Sequence, residues 1–350
     1  MRKIDIYILK SLISSFVLSF SIITLVMMIG NIVKIYDLLF AKGVSLQFMS
    51  KIFFDMAVFL SIFTIPMALT IAINFVYGEL SNNSEITALR SSGISLARVY
   101  FPAFLFTIII FFMLFYDTSF MVYKSKLSYR KDIASAFKNK IYVGLREKTF
   151  YKGPGGFVLY AETVSANHKK LYNVFYSKKN SILVAKNAYF QDADFGTVIN
   201  FRDVHIYDKK EGGIEYGKFA SYKTTISMDS PKMTGLDSKN DPRYMNLNEL
   251  MAAYKKTHNK DFLYKINKMI VFALSVFVMS LIGFSFGITF SRSGKSAGVI
   301  ASVSLFFVFY ILLMIGESIF KSYSIIWTIW LPDFVLLFFG LYLFDKKSKV

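Results

Sequence analysis

Residues 12–33 read LISSFVLSFSIITLVMMIGNIV, an apolar run without a charged side chain. A helix needs ~20 such residues to cross roughly 30 Å of hydrocarbon. The run is too long for the apolar core of a cleaved signal peptide, and no obvious small-residue cleavage site follows it. We therefore interpret it as a retained membrane span, and the fold depends on how many similar runs follow.

Five more apolar runs follow, and together they predict a helical membrane protein with six spans. The predicted spans are Leu12–Val33, Ile52–Tyr77, Val99–Phe120, Met269–Phe290, Val299–Ile315 and Ile325–Phe344. The composition agrees, because 54% of the 350 residues are hydrophobic and 18% are charged, whereas a typical soluble protein has about a quarter charged. The spans form two groups of three around a long polar segment.

Basic residues in the short loops predict how the spans are oriented. If the N-terminus is cytoplasmic, the inside segments carry most of these residues, among them Arg2, Arg90, Arg98 and Arg292. Long domains cross the membrane largely regardless of charge, so both termini are expected inside and the central segment outside. The net charge of +18 then indicates anionic lipid rather than nucleic acid as a partner, although a general lysine bias would explain much of it.

The central segment, residues 121–262, is typical of a β domain. It is inserted between two membrane regions of three spans each, residues 1–120 and residues 263–350. Its run ASYKTTISM at 220–228 alternates with period two, which is expected of a half-buried strand. Similar runs occur at residues 157–162, 171–178, 181–190 and 198–207. Turn residues separate them, so an all-β sandwich or jelly roll is predicted. A short amphipathic helix is predicted at Asn246–Lys256, before the fourth span.

No part of the sequence predicts an enzyme. The chain has no cysteine, and its three histidines lack metal-ligand spacing, so no catalytic residue, metal site or cofactor is expected. The run Ser293-Gly294-Lys295-Ser296 superficially resembles a phosphate-binding loop. However, Thr289 occupies the position of the required glycine, and a spanning helix precedes the run instead of a strand. Any ATP hydrolysis is therefore expected from a separate partner.

The segment between spans two and three contains the run SEITALRSSGIS, which begins at Ser84. Ser84 is a favourable N-cap, Glu85 complements the helix dipole, and Gly93 suits the position after the helix. These signals predict a two-turn helix with Ile86 and Leu89 on one face. Two interpretations stay open from the residues alone: the helix docks into a groove on a cytoplasmic partner, or it lies on the membrane surface.

This run resembles the coupling helix of the lipopolysaccharide export permease family LptF/LptG, also called YjgP/YjgQ. Further similarities are Lys34-Ile35-Tyr36-Asp37 after span one, Arg292-Ser293-Gly294-Lys295-Ser296-Ala297-Gly298 between spans four and five, and Trp330-Leu331-Pro332-Asp333 opening span six. These motifs occur in the same order as in the family, so the resemblance covers nearly the whole chain. One departure is that span four begins at Met269 without the proline often seen there.

The resemblance implies a permease subunit of an ABC transporter in the bacterial inner membrane, with a periplasmic jelly-roll domain. The implied partners are a cytoplasmic LptB-like ATPase dimer, a second LptF/LptG-type permease subunit, and periplasmic LptC/LptA-like bridge proteins. Such an assembly extracts lipopolysaccharide from the inner membrane and passes it toward the outer membrane. In the family, spans one and five line a lateral gate, and the jelly roll receives the acyl chains.

The resemblance also implies roles for individual residues. Glu85 corresponds to the glutamate that contacts the ATPase. The expected coupling residues are Glu85, Ile86, Ala88, Leu89, Arg90 and Gly93. Lys34 and Lys42 are expected to bind the lipid phosphates, although ordinary interfacial lysines would look the same from the residues alone. The alternative function is a membrane-anchored periplasmic scaffold or sensor without transport activity, which predicts no co-purifying ATPase.

Overall fold

The computed structural model describes residues 3–39, 45–153, 156–165, 170–178, 180–193, 196–210, 213–226, 241–290 and 295–348. The chain divides into two compact units. We call residues 1–32, 54–126 and 242–350 the helical unit, and residues 33–53 and 127–241 the β unit. The helical unit is therefore interrupted twice along the chain, by residues 33–53 and by residues 127–241.

Six helices in the described part of the chain are long and apolar enough to cross a membrane, which confirms the predicted spans. In chain order the helices are α1 (Lys3–Leu39), α2 (Leu46–Asn82), α3 (Glu85–Ser91), α4 (Leu96–Tyr116), α5 (Val122–Gly144), α6 (Leu247–Thr257), α7 (Lys260–Phe290), α8 (Lys295–Tyr323) and α9 (Leu331–Ser348). Both α1 and α2 have 37 residues. At 1.5 Å per residue each measures about 55 Å, which is well beyond the hydrocarbon thickness.

The third span does not end at Phe120, where the apolar run stops. It passes through a π-helical turn at Asp117–Met121 and continues as α5. The helix continues because neither proline nor glycine occurs between Met121 and Gly144. Sequence analysis missed α5, since its polar residues show neither the apolar length of a span nor a clear helical stripe.

Small residues bring α2 and α7 into close contact. A Cβ atom added at Gly283 would lie 2.9 Å from the Thr70 carbonyl oxygen, and one added at Gly287 would lie 2.8 Å from the Asn74 carbonyl oxygen. The side chain of Asn74 also donates to the Gly298 carbonyl oxygen of α8 at 3.1 Å. The backbones of α2 and α7 therefore approach each other closely at Gly283 and Gly287, as small residues allow.

Tyr77 links three spans within the core of the helical unit. It is fully buried, and its ring meets Phe284 of α7 edge-on at 4.6 Å between centroids. Its hydroxyl donates to the Val99 carbonyl oxygen of α4 at 2.9 Å. A hydroxyl contact between Thr107 and Ser280 at 2.8 Å adds a second link between α4 and α7. Such contacts satisfy buried polar groups where water is absent.

The β unit contains one six-stranded antiparallel sheet, which confirms the inserted all-β domain. The strands are β1 (Tyr151–Lys152), β2 (Val158–Val164), β3 (Lys170–Lys178), β4 (Ser181–Ala193), β5 (Gly196–Lys210) and β6 (Gly213–Ile226). They pair in sequential order, so each strand lies beside its neighbour in the chain. The register pairs Lys178 of β3 with Ser181 of β4, and Ala193 of β4 with Gly196 of β5.

One face of this sheet buries an apolar core. Leu159, Val174, Leu183 and Phe201 are each at most 3% exposed and belong to one cluster. Their neighbours along the strands point to the opposite face, as period-two alternation predicts. Ile133 of α5 packs against the same cluster, so the polar end of the long third span forms part of the β unit.

The predicted amphipathic helix before span four is confirmed as α6. Its N-terminus carries a capping box, in which Asn246 accepts from the Glu249 N–H and Glu249 accepts from the Asn246 N–H. Leu247 and Leu250 are buried, whereas Met251 is 44% exposed and so lies off the buried face. This helix belongs to the helical unit.

Candidate functional site

The C-terminus of α3 is closed by the glycine that the sequence predicts. Gly93 has φ +81°. Its N–H donates to the Arg90 carbonyl oxygen at 2.9 Å, and the Ile94 N–H donates to the Leu89 carbonyl oxygen at 3.1 Å. These two bonds are those of a Schellman motif, which needs a left-handed residue after the helix. Glycine adopts that conformation without strain, so α3 ends sharply before α4.

The N-terminus of α3 differs from the prediction. Ser84 is left-handed, with φ 60° and ψ 12°, and its side chain makes no capping hydrogen bond. A side-chain N-cap needs an extended backbone at that position. Only Asn83 and Ser84 separate α2 from α3, and this tight turn imposes the left-handed conformation instead. The prediction of Ser84 as a side-chain N-cap is therefore wrong.

The apolar face of α3 packs against its own chain. Ile86 is 4% exposed and lies in the main core cluster together with Leu80 and Val99. Leu89 and Ile94 are partly buried against the same cluster. In this structure Ile86 leaves almost no apolar surface for a partner groove. Its evident role is to fix α3 to α2 and α4.

Arg90 connects α3 to the last span. Its guanidinium donates to the carbonyl oxygens of Lys347 at 3.5 Å and of Ser348 at 3.3 Å, at the C-terminus of α9. The last carbonyl groups of a helix lack intrahelical partners and carry partial negative charge, so a cation there is favourable. Sequence analysis named Arg90 without this contact, because no local pattern pairs residues 90 and 347.

The remaining residues of the predicted coupling set are accessible. Ala88 and Gly93 are exposed, and Glu85 is half-buried. The Glu85 carboxylate accepts from the Asn83 side-chain amide at 3.5 Å, which is long for a hydrogen bond. The outward face of α3 therefore presents Glu85, Ala88 and the polar side chain of Thr87.

An ion pair that sequence analysis did not foresee lies beside α3. The Arg98 guanidinium of α4 and the Asp5 carboxylate of α1 are 2.7 Å apart, and the Asp5 side chain is 4% exposed. Arg98 also lies over the Phe101 ring at 5.2 Å. The pair borders a small pocket lined by Leu89 and Ile94. It joins the start of α1 to the start of α4 next to α3.

The predicted phosphate-binding lysines fall largely outside the described part of the chain. The backbone of Lys34 belongs to α1, but its side chain lies outside the described residues, as does all of Lys42. Lys51, near the start of α2, forms an ion pair with Asp132 of α5 at 2.8 Å within the β unit. The structure therefore adds no geometry for the roles of Lys34 and Lys42.

The β unit carries an open groove of about 390 Å³ on the sheet between β3 and β6. The exposed side chains of Phe219 and Tyr222 give it apolar surface, and Lys178 and Glu215 are among its polar lining residues. Burial raises the pKa of Tyr176, which also lines the groove, to about 12. That phenol is therefore neutral at physiological pH. The volume lies in the ~300–1,000 Å³ range of ligand sites.

These features define a class of protein. The chain is a multi-pass membrane protein in which two sets of three spans flank an inserted β domain, with a short fixed helix between the second and third spans. Within the described residues, no group of three His, Cys, Asp or Glu side chains could hold a metal ion.

The chain belongs to the family of lipopolysaccharide export system permeases LptF/LptG, whose family model matches residues 6–346. This match confirms the resemblance found in the sequence. No curated protein sequence matches the chain. Members of the family are membrane subunits of a transport system and not themselves catalytic enzymes. The chain is accordingly a multi-pass inner-membrane protein of lipopolysaccharide export.

Proposed function

We propose that the chain is the transmembrane permease subunit of an ABC transporter that extracts lipopolysaccharide from the inner membrane and passes it to a periplasmic bridge. A cytoplasmic ATPase dimer supplies the energy, and a second LptF/LptG-type permease subunit completes the membrane part. Both termini are cytoplasmic and the β unit is periplasmic. Lys34 and Lys42 face the lipid phosphates, and bridge proteins with jelly-roll domains accept the lipid.

One observation carries this proposal: α3 is attached to several spans while one face stays accessible. Ile86 holds it to the core formed by α2 and α4, and Arg90 holds it to the end of α9. Glu85 and Ala88 remain accessible on the outward face. A partner that moves this face would therefore move the spans with it, which is what coupling to an ATPase needs.

The exposed apolar faces of the spans support an assembly with a lipid path. In α1 and α8, 22% and 33% of the most apolar window is buried, against 61% and 72% in α2 and α7. Spans one and five line the lateral gate in this family, and they correspond to α1 and α8. Their open faces are available to lipid and to a second permease subunit. α9 is similarly open, with 28% buried.

The groove of the β unit supports transfer of the acyl chains. Each CH₂ group exposed to water costs about 0.8 kcal/mol, so a lipid with several acyl chains cannot leave the bilayer unaided. The exposed side chains of Phe219 and Tyr222 offer apolar shelter along the sheet. The polar residues of the groove suit the passage of a charged sugar headgroup.

Photo-crosslinking in the groove tests the proposed function. We expect that p-benzoylphenylalanine in place of Tyr222 captures lipopolysaccharide in proteoliposomes containing the whole transporter, and only when ATP is supplied. Tyr222 lines the groove. The adjacent residue Ser221 is also exposed but points to the opposite face of β6, so the same probe there is the matched control. Equal capture at both positions, or capture without ATP, would contradict the proposal.

A further inference from the structure

The first turns of α1 lie beside α3. Ile4 and Ile8 of α1 line one small cavity together with Leu89 of α3 and with Ile94, which follows α3. The cavity has a volume of only about 20 Å³, and all four side chains belong to or pack against the main core cluster. Because such packing is dense, a displacement of α3 would also displace the start of α1.

An ion pair crosses this junction between α1 and α4. Of the described residues that line the cavity, Asp5 and Arg98 are the charged ones. The Asp5 carboxylate of α1 accepts from the Arg98 guanidinium of α4 at 2.7 Å, and the Asp5 side chain is 4% exposed. A charged hydrogen bond of this length is directional as well as strong. It therefore fixes the position of α1 relative to α4.

The backbone of Arg98 lies close to the end of α3. Residues 92–95 alone separate α3 from α4. Ser95 is the N-cap of α4, and its side chain accepts from the Arg98 N–H. Gly93 and Ile94 make the two hydrogen bonds that close α3. This short connection leaves little freedom between α3 and Arg98, so α4 is expected to follow any movement of α3.

Apolar side chains form the next contacts of α1 along the membrane. Ile8, Leu12 and Phe16 recur at intervals of four residues and belong to the core cluster. The Phe16 ring meets the Phe106 ring of α4 edge-on at 5.6 Å between centroids. Lipid tails are as apolar as these side chains, so such contacts hold two spans together less specifically than polar ones do.

Among the six described spans, α1 has the smallest buried share. In its most apolar window 22% of the residues are buried, against 39% in the third span, which contains α4. A span with so much open surface depends on a few contacts to follow its neighbours. The ion pair of Asp5 with Arg98 is a contact of this kind, and it lies at the same end of α1 as α3.

We propose that the ion pair of Asp5 with Arg98 transmits movement of α3 to α1, which makes both residues positioning residues of the transport cycle. α3 moves α4 through their short connection, and Arg98 then moves α1 through Asp5. Without the ion pair, α1 slides along its apolar contacts and does not follow α4. This inference rests on the proposed transport function, because it requires a partner that moves α3.

The amount of lipopolysaccharide released per ATP hydrolysed, in proteoliposomes containing the whole transporter, tests this proposal. We expect Arg98→Gln to lower this ratio by about tenfold, while ATP hydrolysis stays near the wild-type rate. Arg98→Lys retains the positive charge and is expected to keep most of the ratio. Lys51→Gln is the control, since it breaks the 2.8 Å ion pair with Asp132 in the β unit and should leave the ratio unchanged.

A double-mutant cycle tests whether the two residues act as a pair. Asp5→Asn changes neither the size nor the shape of the side chain much, and it is expected to lower the ratio as Arg98→Gln does. The double variant Asp5→Asn/Arg98→Gln is expected to lose no more than either single variant, because residues in one ion pair are not additive. Additive losses would overturn the proposal. The asparagine variant also keeps the test decisive if Arg98→Gln does not fold.

Spin labels distinguish a role in movement from a role in folding alone. The chain has no cysteine, so Ser14→Cys on α1 and Ile109→Cys on α4, both exposed, can be labelled specifically. In the wild-type complex we expect one narrow distance distribution with and without ATP. In Arg98→Gln we expect broadening only with ATP, because α4 then moves without α1. A distribution that is equally broad without ATP, or narrow with it, would overturn the proposal.

The wild-type complex separates the two ways in which this account can fail. If the wild type releases lipopolysaccharide and Arg98→Gln releases as much per ATP, the role of the ion pair is overturned and the proposed function stands. If the wild type hydrolyses ATP without any release, the proposed function fails and the role of the ion pair fails with it.

Discussion

Replacing Glu85 by alanine is expected to lower ATP-driven release of lipopolysaccharide by about tenfold or more without unfolding the chain. Truncating one partner of a hydrogen-bonded charge pair that becomes buried at an interface costs ~2–5 kcal/mol. Within its own chain the Glu85 carboxylate has the long contact with Asn83 at 3.5 Å, so the loss to the fold is small. Release from proteoliposomes that contain the whole transporter measures the effect.

Two comparisons make this result specific to α3. Glu162→Ala removes an exposed carboxylate from β2 that accepts from the Asn173 amide at 2.6 Å, and release is expected to stay near the wild-type rate. The unfolding midpoint of Glu85→Ala should match that of the wild type. Unchanged release in the Glu85 variant would remove this residue from the coupling mechanism.

Replacing Gly287 by leucine is expected to destabilise the helical unit by about 3 kcal/mol or more. Even the first added atom would meet the Asn74 carbonyl oxygen at 2.8 Å and the Gly78 nitrogen at 3.0 Å. Both are backbone atoms of α2, so relief requires the two helices to separate. Overpacking alone costs ~1–3 kcal/mol, occasionally more, and separation also disturbs the Tyr77 contacts with α4 and α7.

Gly30→Leu is the matched control for this substitution. Gly30 lies in α1, and a Cβ atom added there meets nothing within 4 Å. Thermal unfolding of the isolated chain in detergent should therefore show a lowered midpoint for the Gly287 variant and a nearly unchanged one for the Gly30 variant. Equal midpoints for both variants would mean that the α2–α7 contact does not control stability.

The membrane spans could be predicted because the signal is local. A run such as residues 12–33 meets the length and hydropathy requirements by itself, and the alternation at 220–226 likewise marks β6. The polar helix α5 carries no comparable local signal. What identifies it is the absence of proline and glycine over 121–143, and this becomes informative only once the preceding span is known to be helical.

The surroundings of α3 could be predicted only in part. Gly93 ends the helix as its conformational freedom suggests. The burial of Ile86, the contact of Arg90 with the end of α9 and the pair of Asp5 with Arg98 all join residues far apart in the chain. No spacing rule in a single sequence encodes such pairs. Ser84 shows the opposite case, in which a local signal is present but misleading. Serine is a favourable N-cap residue, but the two-residue turn holds Ser84 in a left-handed conformation without a capping hydrogen bond.

Purification of the tagged full-length chain in mild detergent, followed by mass spectrometry of the proteins and lipids that accompany it, tests the central claim most directly. The proposed function predicts a cytoplasmic ATPase, a second six-span permease and bound lipopolysaccharide in the same complex. A chain that purifies alone, without ATPase and without lipid, would contradict coupling through α3 and would favour a scaffold or sensor instead.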